Sequence, residues 1–393
     1  MTDYTAISHR LHKIVDEHAF STRWLPAIAA LRPSPLRPAQ QVAPGGTQRN
    51  PKRRATVSIV IPCYNYGRYL RGAVESALSQ ESVEVQVVIV NDRSSDDTAE
   101  VADRLAASDP RVEVIHNQEN LGHVRTFNRG LEHVDGEFLV RLDADDLLTP
   151  GCLAAAVELF DWSPSIGLVY GHPYHFETTE PPTPRISDVS WTIWSGPEWL
   201  AERCRVGVNC ITTPEAMLRT SVVREVGPLD TRLRFAQDME MWCRVAAVSD
   251  VGRVNGADQA LHRDHPDSMS ATEGSPAIVD LQERRQVFAS LFESTGSGLP
   301  NAVALHNLAR EALARESIGY AERALDAGES TVATQFIEFA EETHPSTLES
   351  GWSAGVVRRS FGLAKPSPVR KIRRRFAGLA REIDYVRWAV HGI

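Results

Sequence analysis

The chain has 393 residues, of which 42% are hydrophobic and 24% charged; at more than twice the ~150 residues of a typical domain it is long enough for two, and disorder throughout is excluded. No apolar run approaches the about 20 residues that span a bilayer, and residues 1–20 carry charge where a signal peptide would be apolar, so the expected address is the cytoplasm. The five cysteines are odd in number and show no C-x-x-C spacing, which argues against a disulfide framework or a cysteine zinc site. The net charge of −9 conceals a division: residues 1–54 carry +6 and residues 358–393 carry +8, against −23 between them. An acidic body with basic ends argues against nucleic acid as a partner and leaves an anionic membrane surface open to the ends.

In chain order, Tyr4, Ile7, Leu11, Ile14, Val15 and His18 recur at helical spacing and predict an amphipathic helix. Prolines and glycines from Pro26 to Pro51 then predict a linker over 26–54, without regular structure. From Thr56 the pattern becomes short β-branched runs alternating with helix-period segments. Val57–Ile61, Val85–Val90, Val112–Ile115 and Phe138–Leu142 read as strands, with helices over Tyr69–Leu78, Asp97–Ala107 and Val124–His133 between them. That alternation predicts an α/β domain with a mostly parallel sheet and right-handed crossovers, whose ligands bind at the carboxyl ends of the strands. Beyond about residue 275 the spacing is helical: Ile278–Phe292, Ala302–Arg315, Ile318–Ala327 and Thr331–Glu342. Gly328 serves as a C-cap between two of these, and alanines such as Ala309, Ala321, Ala333 and Ala340 allow close helix packing. No fixed-period repeat is present.

The strand ends carry the chemistry. Pro62-Cys63-Tyr64-Asn65 sets an aromatic ring at the mouth of the sheet, Asn91 to Thr98 is dense in capping side chains, and Asp143-Ala144-Asp145-Asp146 puts three carboxylates in four positions. Carboxylates so close repel unless a cation lies among them, which suits a hard divalent ion and a phosphate-bearing ligand.

Together with Val88–Asp92, Asn120-Leu121-Gly122, Val226–Asp230, Gln237–Trp242 and His262–Ser270, these segments resemble the family 2 glycosyltransferases of GT-A fold, over roughly residues 55–272. The resemblance implies a GT-A domain (55–272), which the patterns above flank with an N-terminal helix and Pro-rich linker (1–54) and a helical C-terminal region with a basic amphipathic tail (273–393). It implies that Pro62, Tyr64, Asn65, Asp92, Asp143 and Arg263 bind the nucleotide sugar, with Tyr64 stacking on the base and Asp92 hydrogen-bonding it. Asp145, Asp143 and His265 become the ligands of Mn²⁺ or Mg²⁺, and Asp146 a helix N-cap. Asp238 corresponds to the general base of inverting members, while Asn209, Gln237 and Trp242 fall on the acceptor side. The family usually has Gly where this chain has Arg93, Glu where it has Gln237 and Tyr where it has His262.

Processive members carry Gln-x-x-Arg-Trp and membrane helices. This chain has Asp384 at the needed place before Arg387-Trp388, so a single transfer per encounter is expected. The implied activity moves one sugar, from a UDP-sugar as the family's commonest donor, to a hydroxyl of a glycan, lipid-linked or small-molecule acceptor. Specificity falls to variable loops such as Glu177–Trp194. Residues 366–393 are basic, amphipathic and aromatic, a composition that suits either peripheral contact with anionic lipid at the inner membrane face or packing on the body. A degenerate GT-A protein acting as a binding or scaffold module through its helical half is the alternative. Oligomeric state is not legible in the sequence.

Overall fold

A computed structural model describes residues 40–42, 54–187, 190–266, 268 and 276–365. The helix expected over residues 1–20 and the basic tail over 366–393 lie outside the described residues.

The predicted parallel strands form one side of a ten-stranded sheet. β2 (Ala55–Cys63) pairs with β3 (Val83–Asn91) and β5 (Phe138–Arg141), and β3 with β4 (Val112–His116), all parallel. Helices α1 (Gly67–Leu78), α2 (Thr98–Ser108) and α3 (His123–Leu131) make the crossovers. Along β2, Val57, Ile59 and Ile61 enter the apolar layer on one face of the sheet and Val60 the layer on the other, all without solvent exposure. The period-two alternation of a pleated strand therefore meets apolar neighbours on both faces, which is why the run reads as continuously hydrophobic.

Beyond β5 the sheet changes direction. β9 (Ala216–Arg219) is antiparallel to both β5 and β7 (Ile166–Phe176), and β7 runs parallel to the long strand β10 (Asp250–Arg263). β10 also carries β6 (Leu147–Leu148) and β8 (Ser190–Trp194), both antiparallel. β1 (Gln40–Val42) closes the edge on β8, giving the order β1-β8-β10-β7-β9-β5-β2-β3-β4. Two expectations change here. Gln40–Val42, expected to be irregular, is a strand: it falls in the proline-free stretch between Pro38 and Pro44, and an edge position tolerates flanking prolines. The segment Glu177–Trp194, expected as a loop, ends in β8.

The helices are α4 (Cys152–Trp162), α5 (Gly196–Val206), α6 (Thr220–Val226), α7 (Gln237–Val248), α8 (Ala277–Glu293), α9 (Ala302–Ala327), α10 (Ser330–Thr343) and α11 (Gly351–Ser360). The two helices expected over 302–327 are one: the Ser317 hydroxyl donates to the Phe336 carbonyl in α10 at 2.7 Å, so it ties two helices together instead of ending one. Gly328 ends α9 at φ +83°, the left-handed C-cap expected of it. Ala309, Ala321, Ala333 and Ala340 are wholly buried at the helix contacts.

One apolar layer runs from Val60 and Leu139 through Trp199 and Cys243 into Leu281, Phe288, Leu313 and Ile337. The C-terminal helices thus share a core with α5 and α7. Arg284 of α8 pins the join, donating to the Gly207 carbonyl at 2.7 Å and pairing with Asp280 at 2.6 Å and Glu316 at 2.9 Å. Among the described residues no helix is long and apolar enough to cross a membrane.

Candidate active site

The loops after β2 and β3 clasp each other at the mouth of the sheet. Asn65 takes a left-handed backbone (φ +59°), and its side-chain oxygen accepts from the Ser95 amide at 2.8 Å while its own amide donates to the Ser94 hydroxyl at 2.9 Å. Arg93 is also left-handed (φ +59°), a backbone conformation that glycine adopts most readily. Tyr64, just past the buried Pro62, is 46% exposed, so its ring is presented to solvent and is not core lining. Asp92 is 2% exposed. Its carboxylate accepts from Asn117 Nδ2 at 2.7 Å and from the Leu121 and Gly122 amides at 2.8 and 2.9 Å, which fastens the Asn120-Leu121-Gly122 turn to the end of β3.

After β5 the three carboxylates separate by environment. Asp143 is held by the Arg141 guanidinium at 3.1–3.2 Å. Asp145 lies 2.9 Å from His265 Nε2; burial, then the charges of Asp146 and Asp143, raise its pKa above the usual carboxylate range. His265 sits among the rings of Tyr66 and Tyr69, and its Nδ1 is buried without a hydrogen-bond partner. Two carboxylates that repel each other, with an imidazole between Asp145 and an aromatic wall, are a donor set that fits a divalent cation at Asp145 and His265.

Asp146 does not cap a helix. It is wholly buried and accepts from His262 Nδ1 at 3.0 Å and from the Arg263 amide at 2.8 Å. Leu147 and Leu148 continue as strand, and α4 begins only at Cys152 behind left-handed Gly151, too far along for Asp146 to reach its first amides. Although burial lowers the pKa of His262, the Asp146 charge and hydrogen bond, with Asp264 and Asp145, raise it to about 10. The Arg263 guanidinium lies over the rings of Phe176 and Tyr69 and donates to the Thr178 and Asp145 carbonyls at 2.9 and 3.2 Å, clamping the loop after β7 to the acidic turn. That loop has a second anchor where Arg185 pairs with the buried Asp258.

Asp238 lies in the first turn of α7, and Asn209 Nδ2 donates to its Oδ2 at 2.9 Å. Burial lifts its pKa to about 7; its own turn's Met239 amide and Arg141 oppose that shift, while Asp143 and Glu215 add to it. Gln237 is 4% exposed and, with its amide turned to satisfy both ends, accepts from Arg141 Nη1 at 3.0 Å. Arg141 therefore links the acidic turn to the start of α7. Trp242 is buried in the core layer at 4% exposure; of the three residues expected on the acceptor side, Asn209 is the one shown hydrogen-bonding the Asp238 carboxylate.

Residues without a motif complete the site. Glu283 reaches from α8 and accepts from the Arg234, Phe235 and Ala236 amides at 2.9, 3.0 and 3.3 Å, satisfying the donors that lead into α7. His123 lies 3.3 Å from Gln237, its pKa lowered to about 4 by burial and by Arg141. Arg141 was missed; the signal that could have found it is a basic residue two places before Asp143, at the entry to the acidic turn, whereas Glu283 and His123 carry no sequence signal.

The parallel nucleotide-type sheet with its acidic turn, extended by a mixed half and helices, defines a GT-A architecture. The S. aureus TarS fragment 1–349 in complex with UDP-GlcNAc superimposes with a TM-score of 0.54 at 15% identity, covering 85% of this chain and 90% of that one. Residues 58–227 match the model of glycosyl transferase family 2. An uncharacterized glycosyltransferase of Nostoc sp. is 36% identical over 115 residues, which is 29% of this chain and 35% of that protein. The chondroitin synthase of Pasteurella multocida is 35% identical over 114 residues, 29% of this chain and 12% of the synthase. The matched region thus spans about a third or less of these relatives.

Proposed function

We propose that the protein is an inverting, non-processive, metal-dependent glycosyltransferase that moves one sugar from a nucleoside-diphosphate sugar, a UDP-sugar, to a hydroxyl of a glycan, lipid-linked or small-molecule acceptor. The observation that carries this reading is Asp238: a carboxyl in the first turn of α7, oriented by Asn209 at 2.9 Å, with its pKa lifted to about 7. A base poised near neutrality takes the acceptor proton as the hydroxyl attacks the anomeric carbon opposite the leaving diphosphate.

The exposed Tyr64 ring offers a stacking face for the base, and Asp92, Asn65 and Pro62 shape the floor around it. Mn²⁺ or Mg²⁺ at Asp145 and His265, with Asp143 beside it, would neutralise the charge of the diphosphate. Arg141 fixes Asp143 relative to Gln237, so the donor turn and the base share one rigid link. The UDP and UDP-GlcNAc bound by TarS support a uridine donor. In this reading residues 1–54 precede a GT-A unit of residues 55–272, the helices from Ala277 to Ser360 brace its acceptor side, and the basic tail holds the enzyme at the cytoplasmic membrane face.

Calorimetric titration with UDP, GDP and dTDP, each with Mn²⁺ and again with EDTA, tests the reading. Metal-dependent binding of UDP is expected, and an inverted anomeric configuration in the product, read by NMR, would follow. No metal-dependent binding of any of the three would overturn it. For the tail, liposome flotation with and without residues 366–393 is expected to differ; equal recovery removes the membrane contact.

A further inference from the structure

We propose that His175, His262 and Asp264 form a second divalent-metal site, separate from Asp145 and His265, suited to Zn²⁺ or a cation of similar preference. Among the described residues these three are the one group of His, Cys, Asp or Glu whose ligand atoms all lie within 4.8 Å of one another.

Sheet register builds the cluster. β7 and β10 run parallel with His175 and His262 as direct partners, so their side chains leave the same face of the sheet. One residue past β10 the Asp264 amide donates to the Phe176 carbonyl at 2.8 Å, which turns the Asp264 carboxylate back over both rings. Its two oxygens lie 3.2 Å from His175 Nδ1 and 3.8 Å from His262 Nε2. The rings meet edge to face, centroids 4.7 Å apart, so they do not stack. Ligand bonds of about 2.0–2.2 Å in a tetrahedral shell put donor atoms roughly 3.3 Å apart, against 3.2 and 3.8 Å for the two carboxylate–imidazole pairs.

A second observation points the same way. The other nitrogen of His262, Nδ1, is held at 3.0 Å by the wholly buried Asp146. A carboxylate behind a histidine fixes the ring and directs its far nitrogen outward, which is the arrangement that orients a metal-ligating imidazole. A cation there takes the place of the Nε2 proton between His262 and Asp264. Two imidazoles and one carboxylate form a set with a nitrogen majority, unlike the oxygen-rich turn at Asp143–Asp145, and they leave a fourth position for water or a group on a bound molecule. The site stands at the root of the loop after β7, and Asp146 adjoins Asp145, so occupancy would stiffen the loop where it meets the donor turn.

The test uses the full chain carrying Asp145→Ala, stripped with chelator and then loaded with Zn²⁺ or Co²⁺. A single tightly held equivalent is expected, lost with His175→Ala added and bound at least roughly tenfold more weakly with Asp146→Asn added. X-ray absorption of the Zn²⁺-loaded Asp145→Ala protein is expected to show two imidazoles, a readout that does not depend on whether the cluster variants fold. No retained metal, retention unchanged by His175→Ala, or a shell without imidazole would overturn the site. Those failures leave Mn²⁺-dependent nucleotide binding by the unmodified chain untouched, so the two readings fail separately.

Discussion

The two halves of the sheet assemble their parts of the site in different ways. On the β4-β3-β2-β5 side every strand ends in a contiguous group of chemistry-bearing residues, because parallel strands joined by helices deliver all their carboxyl ends to one edge. On the β9-β7-β10 side the neighbours lie farther apart in sequence: Glu283 with residues 234–236 and His175 with His262. The first half is a series of local motifs on a rigid comb. The second is a set of long-range registers held by packing, and the C-terminal helices belong to it because they share its apolar layer.

The sharpest way to break that comparison is Asp238→Asn. If the motif half binds the donor and the assembled half performs the transfer, this variant should retain nucleotide binding by calorimetry while turnover falls by roughly 10² to 10⁴, the usual loss for a positioned base. Normal turnover would dismiss Asp238 as the base. The complementary change is Tyr64→Ala. The ring is 46% exposed and contributes little to the core, so the thermal midpoint should hold. Loss of a base-stacking face should weaken nucleotide binding by about 1–3 kcal/mol; unchanged affinity would mean the base lies elsewhere.

Glu283→Ala asks whether the helical half takes part in catalysis. Three backbone amides ahead of α7 lose a charged acceptor, which should lower unfolding stability by roughly 1–3 kcal/mol. Turnover should drop while nucleotide affinity stays constant, because the displaced element carries Asp238 and not the loops after β2, β3 and β5. Equal losses in both would show that Glu283 supports the fold and nothing more specific.

What the sequence disclosed follows the same division. The strands at Val57, Val85, Val112 and Phe138, the helices between them and the Gly328 cap were all readable, because period and punctuation are local properties. The acidic turn was readable as a group, yet the fate of its members was not: Asp146 was expected to cap a helix, and only the pairing of β6 with β10 delivers His262 to it. Arg263 was read from its motif as a donor ligand, and its contacts with two backbone carbonyls and two rings had no sign in the sequence. His175 has no motif around it at all; its relation to His262 exists only in the register of two strands with more than seventy residues between them.

The smallest expected effect tests the link between the halves. Arg141 touches Asp143 on one side and Gln237 on the other, and its charge favours the ionised form of Asp238 against burial and the charges of Asp143 and Glu215. A general base works deprotonated, so under the proposed role of Asp238 turnover at saturating donor should rise with pH through about 7 and fall as acid protonates that carboxylate. Arg141→Met removes the opposing positive charge and leaves Asp143 uncompensated, and both changes stabilise the protonated carboxyl. The midpoint should therefore move to higher pH, by roughly half to one unit. A pH–rate profile that stays in place would show that Asp238 titrates independently of the acidic turn, and that the two halves are joined by packing alone.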